Sequence, residues 1–103
     1  MSSVIQKLLQ LGQQMQGKLQ QLQTDLADRT IEASAGGGMV RVTADGRGML
    51  RTLDIDPAVF AGHDAEFLAD LVLAAIAEVQ RRAADMLQAE MRKAQTVPLA
   101  PHL

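Results

Sequence analysis

Gly36-Gly-Gly-Met-Val-Arg-Val-Thr-Ala-Asp-Gly-Arg-Gly-Met-Leu-Arg-Thr-Leu-Asp-Ile-Asp-Pro57 is the stretch whose reading decides the fold. A glycine turn opens it, and an Asp45-Gly46 turn divides two runs of alternating apolar and polar residues. Glycine at a turn between alternating runs is a hairpin signal. Upstream, Thr30 to Ala35 alternates as well, with Ile31, Ala33 and Ala35 on one side and Glu32 and Ser34 on the other. Three short strands follow: Thr30–Ala35, Met39–Ala44 and Met49–Asp56. In the second, Val40 and Val42 face inward while Arg41 and Thr43 face outward. In the third, Leu53 and Ile55 face inward. Pro57 ends the ladder because it has no N–H to donate. A sheet of two or three strands cannot shield its apolar face alone, so its cover must come from what flanks it.

Both flanks are helical. Before the sheet, Leu8, Leu11, Met15, Leu19, Leu22 and Leu26 recur in steps of three and four, the stripe of an amphipathic helix over Val4 to Ala27. Such a helix is about 36 Å long. Gly12 and Gly17 weaken it by about 1 kcal/mol each relative to Ala. After the sheet, Pro57 to Gly62 is a connector with one helical turn around Val59 and Phe60. His63 or Asp64 then caps a second long helix running to Gln95. That helix is apolar nearly all round from Ala65 to Val79 and only striped beyond, at Met86, Leu87 and Met91.

The expected fold is α+β, in the order α-β-β-β-α, with the strands as an antiparallel meander. Residues 1–95 form a single domain and 96–103 a flexible tail carrying Pro98 and Pro101. A helix apolar all round is buried all round, yet one small sheet covers one side only. Phe67, Leu68, Leu71, Val72, Ile76 and Val79 are therefore expected to meet a second subunit, and a homodimer is expected.

Composition narrows the function. The chain has 103 residues, a formal net charge of −2 and no cysteine, Trp or Tyr. This excludes a disulfide framework, a thiolate metal site and a cysteine nucleophile. It also argues against stacking of single-stranded bases on aromatic rings. No signal-peptide pattern is visible, because Gln6, Lys7 and Gln10 interrupt the first apolar residues. The most apolar stretch, Phe67 to Val79, is shorter than the roughly 20 residues of a membrane span. A cytoplasmic protein with no membrane association is expected.

Enzymatic motifs are missing. His63 sits in a connector, where exposed or capping histidines are ordinary, and His102 lies in the tail. Asp54 and Asp56 alternate outward at a strand end, and Asp56 is placed to cap the turn at Pro57. Gly36 to Gly38 lack the Lys-Ser/Thr of a phosphate-binding loop and do not open a helix. No catalytic residue, metal, cofactor or small-molecule substrate is expected.

The basic residues are patterned. Lys7 and Lys18 are eleven residues apart, which returns to nearly the same helical angle, and Gln14 lies near that line. Arg81 and Arg92 share this relation, as do Arg82 and Lys93. Each helix thus offers a row of cations and amides of the kind that contacts a phosphate backbone. Against that stands helical pairing of Glu78 with Arg82 and of Asp85 with Arg81, which makes an ordinary solvated face. A partner-facing or coiled-coil role is open for the Gln-rich first helix.

Several runs together resemble the YbaB/EbfC family of nucleoid-associated proteins. They are Gln13-Gln-Met-Gln16 followed by Lys18; Gly37-Gly-Met-Val-Arg-Val-Thr43; Gly46; Leu53-Asp-Ile-Asp-Pro57; Asp70-Leu-Val72; and Arg81-Arg82. The resemblance spans residues 8 to 95. It implies a small intertwined homodimer with protruding helical arms that binds duplex DNA with little sequence preference in the nucleoid. Taken with the rows of cations read from the spacing, the expected DNA contacts are Lys7, Lys18, Arg81, Arg82, Arg92 and Lys93, with Gln14 and Gln21 as auxiliary donors. The start, Ser2-Ser3-Val4-Ile5, departs from the family's usual Gly, Phe and Lys, and Gln21 stands where a lysine is frequent. A protein-interaction module of the same fold is the alternative reading.

Overall fold

The structure, a computed structural model, describes residues 2–95. Its elements are α1 (Ser2–Ala27), β1 (Thr30–Ala35), β2 (Val40–Asp45), β3 (Leu50–Ile55), a 3-10 turn (Pro57–Phe60) and α2 (Ala65–Gln95). The α-β-β-β-α order is the expected one. The expected tail, residues 96–103, lies outside the described residues.

The sheet is an antiparallel meander in the order β1-β2-β3. Two tight connections hold its register. Gly36, Gly37 and Gly38 all adopt positive φ, a conformation other residues rarely take. At the second turn, the Asp45 carboxylate accepts from the backbone N–H groups of Arg47 and Met49, at 2.8 and 3.1 Å. A bulge between Thr43 and Ala44 shifts the pairing beyond that point. The Asp56 side chain caps the 3-10 turn by accepting from Ala58 N–H at 2.9 Å. Asp64 caps α2 through Phe67 N–H, also at 2.9 Å.

One sheet face carries the core. Ile31, Ala33, Val40, Val42 and Ala44 pack against Ala75, Val79 and Ala83 of α2. The helix runs over β1 and β2 and leaves β3 at the margin. Leu53 does pair with Val42 and so shares its face. It stays half exposed because α2 packs chiefly on β1 and β2. Leu50 and Phe60 are exposed in the same way.

The apolar half of α2 divides accordingly. Val79, expected at a subunit interface, is fully buried against its own sheet. Leu68, Leu71, Val72 and Ile76 are half-buried against the same core. Phe67 is half-buried and stacks on the His63 ring with centroids 4.2 Å apart. Leu73 points the other way and is 65% exposed.

The first helix stands apart from this body. Leu26, in its last turn, is its only buried residue. Val4, Ile5, Leu8, Leu9, Leu11, Met15 and Leu19 are 55–64% exposed. The molecule measures 74 × 30 × 19 Å with a radius of gyration of 20.7 Å. A compact chain of this length has a radius of about 13 Å, so the projecting helices set the shape.

Candidate nucleic-acid interface

Lys7, Gln14, Lys18 and Gln21 are all exposed on α1. At 3.6 residues per turn they fall within an arc of about 60°. The apolar stripe of α1 lies about 90° round the helix from that row. The two meet at a groove between α1 and the far part of α2. Met15, Leu19 and Met91 give its apolar lining, while Lys18, Gln21 and Lys93 supply donors. The fold thus brings together three of the expected contacts from two distant parts of the chain. Lys7 lies farther out along α1.

Arg81 and Arg82 are differently placed. Arg81 donates to Glu78 from Nη2 and Nε, at 2.5 and 3.1 Å, and to Asp85 from Nη1 at 2.8 Å. Arg82 donates to Glu78 at 3.1 Å and to the backbone carbonyl of Glu32, on β1, at 2.6 Å. The sequence spacing had indicated the Glu78–Arg82 and Asp85–Arg81 pairs, and Glu78 proves to serve both arginines. Hydrogen bonds from Arg81, then Arg82, pull the Glu78 carboxyl down to about 2. The same contact with Glu78, helped by Asp85, raises Arg81 above the usual guanidinium value. Both guanidinium groups are thus already paired with carboxylates, with which a phosphate competes.

At the end of α2, Lys93 lies 3.4 Å from Glu90. Arg29, which the sequence reading did not single out, reaches the same Glu90 oxygen at 3.4 Å. Arg92, Lys7 and Lys18 make no ion pair among the described residues. The three helical cations most open to an external anion are thus Lys7, Lys18 and Arg92.

The sheet arginines divide as well. Arg47 forms a fork onto the buried Asp45 carboxylate, with Nη2 at 2.9 Å and Nε at 3.2 Å. Burial pushes the Asp45 carboxyl up, but the bonds from Arg47 and the two backbone N–H groups outweigh it and hold the group below its ordinary value. Arg51 donates to the Ala27 carbonyl at the end of α1. Arg41 stands opposite Asp54 on the polar sheet face. No group of three or more His, Cys, Asp or Glu suited to a metal occurs among the described residues. No helix among the described residues is long and apolar enough to cross a membrane.

Residues 1–97 match the YbaB/EbfC DNA-binding family. A nucleoid-associated protein of Thermoanaerobacter sp. (strain X514) is 43% identical over 89 residues, covering 86% of this chain and 80% of its own. One from Moorella thermoacetica is 50% identical over 72 residues, covering 70% and 69%. One from Gemmatimonas aurantiaca is 40% identical over 87 residues, covering 84% of each chain. The fold is similar to the crystal structure of an uncharacterized protein from Helicobacter pylori. The TM-score is 0.76 at 24% identity, over 84% of this chain and 91% of that one.

Proposed function

This chain belongs to the YbaB/EbfC DNA-binding family, and from that premise we propose that it binds duplex DNA as a homodimer in the cytoplasmic nucleoid. Contact is mainly with phosphates and carries little sequence preference, so the protein acts on nucleoid organisation or gene expression. The family is one of DNA-binding proteins and not of enzymes.

The observation that carries the reading is the pairing of features on α1. An uncovered apolar stripe suits a second copy of the chain. Beside it runs a polar row whose lysines have no ion-pair partner among the described residues. The helix thus has one face for assembly and another for phosphate. Lys7, Lys18 and Arg92 from two protomers amount to about six phosphate contacts, and log affinity then falls with log salt at a slope near −5. A gel-shift titration across salt tests this. A flat response, or no shift at micromolar protein in low salt, counts against it.

One observation favours a second reading, a protein-interaction module of the same fold. The Arg81-Arg82 pair is already engaged by Glu78, Asp85 and the Glu32 carbonyl. In that case the apolar stripe of α1 grips a different protein. A stoichiometric partner retained after nuclease treatment, together with a failed gel shift, supports it.

A further inference from the structure

The last turn of α1 lacks the devices that usually finish a helix. It carries no basic side chain, and neither Asp28 nor Arg29 adopts positive φ. Carbonyls of the last turn have no partner within a helix, and its C-terminal end is electronegative. Local bonds serve two of these carbonyls: Asp28 N–H donates to Asp25 and Arg29 N–H to Leu26. Two further bonds come from the β2–β3 turn and the start of β3, far away in sequence. Gly46 N–H donates to the Leu26 carbonyl at 2.7 Å, and the Arg51 guanidinium donates to that of Ala27. Arg51 is itself 4.0 Å from the buried Asp45 carboxylate, which the backbone of its own turn holds in place.

We propose that Arg51 is a positioning residue: backed by Asp45, it latches the end of α1 to the start of β3, beside the β2–β3 turn, and fixes the direction in which the arm leaves the sheet. The hydrogen bonds that tie α1 to the sheet lie at one end of a long lever. A helix of 26 residues is about 39 Å long, so a tilt of about 10° at the latch moves its far end by about 7 Å. Lys7, about 30 Å from the latch, moves by about 5 Å; duplex DNA advances about 3.4 Å per base pair, so Lys7 would then meet phosphates one to two base pairs away. Arg51 acts on DNA contact through the angle of the arm and without touching DNA. Only this consequence rests on the DNA-binding reading, since the latch is a property of the protein alone.

The chain has no cysteine, so introduced cysteines label cleanly. One spin-label pair, Gln13→Cys with Ser34→Cys, reports the arm against the sheet. A second, Ser34→Cys with Ala84→Cys, reports the body. Distances are measured by pulsed electron resonance without DNA, in full-length protein diluted with unlabelled chains. Gln13 lies about 21 Å along the helix from Ala27, so with Arg51→Ala the arm distribution should spread by about 4 Å or more while the body distribution keeps its width. An unchanged arm distribution overturns the latch. Equal broadening of both pairs overturns it too, because Arg51 would then support the whole body and not the direction of the arm. Neither result depends on the gel shift, which tests DNA binding separately.

Discussion

Leu26 and Gly46 are in direct backbone contact: the Gly46 N–H donates to the Leu26 carbonyl oxygen at 2.7 Å, and a Cβ on Gly46 would lie 2.6 Å from that same oxygen. Gly46 does not have positive φ, so glycine is required here by proximity and not by backbone conformation. The contact joins the root of α1 to the turn that sets the register of the sheet.

Gly46→Ala should therefore be among the most damaging single-methyl changes in the chain. The added carbon meets backbone that cannot rotate aside, and overpacking of this kind costs about 1–3 kcal/mol. In a domain of this size each kcal/mol lowers the melting midpoint by roughly 4–8 °C. Thermal melts at fixed protein concentration check this, since the midpoint of a dimer also depends on concentration. Gly37→Ala is the control. A Cβ at Gly37 has nothing within 4 Å, so its cost arises from positive φ alone.

Glu78 links acid stability to DNA affinity. Its carboxyl titrates near 2 in the folded chain against an ordinary value of 4.5. A depressed carboxylate contributes stability that is fully present above about pH 4.5 and is lost as the pH falls through about 2. Asp45, also held low, acts in the same direction below 3.8. The melting midpoint of the parent protein should fall across this window, and Glu78→Gln should fall less. The same variant releases Arg81 and Arg82 from their shared carboxylate. At neutral pH it should bind DNA more tightly than the parent, with a steeper salt slope. Weaker binding would mean that Glu78 orients the arginines for DNA instead of competing with it.

The apolar stripe of α1 gives a prediction about assembly. Large apolar side chains contribute about 1.5–3 kcal/mol each when removed from water, and those of α1 remain mostly in water within one protomer. Leu8→Asp combined with Leu19→Asp should take the sedimenting mass from twice 11.1 kDa down to 11.1 kDa at micromolar concentration. Helix content should largely persist, because neither residue supports the protomer's own core. A parent protein that sediments as a monomer would remove the dimer.

Local chemistry made much of this legible before any coordinates. Alternation, the glycine turn and Asp45-Gly46 indicated three strands in their observed order, and helical spacing indicated the ion pairs of Arg81 and Arg82. What alternation does not carry is which part of a face is covered. Leu53 lies on the expected side yet stays half exposed, because α2 packs chiefly on β1 and β2. The same limit applies to Val79, an apolar position whose cover turns out to be its own sheet. Asp45 read as a turn residue, but its buried carboxylate also organises Arg47 and Arg51. The bond from Arg51 to Ala27 spans 24 residues, beyond the reach of any local pattern.

The contrast between the two sets of cations gives the sharpest test of the DNA reading. Lys7 and Lys18 are exposed and unpaired among the described residues, so a phosphate meets them at no cost in existing contacts. Removing both to Ala deletes about four charges from a dimer and should flatten the salt slope by about 3.6. Affinity should fall equally on unrelated duplexes, since phosphate contacts carry no sequence information. Stability should change by no more than about 0.5 kcal/mol, as at other exposed sites. Arg81→Ala with Arg82→Ala removes as many charges but also strands Glu78 and Asp85, which already balance them. That variant should weaken binding as well, with a smaller change in slope than the lysine pair. If the order is reversed, DNA displaces the acidic partners on binding, and the contact surface runs along the middle of α2 and not along α1.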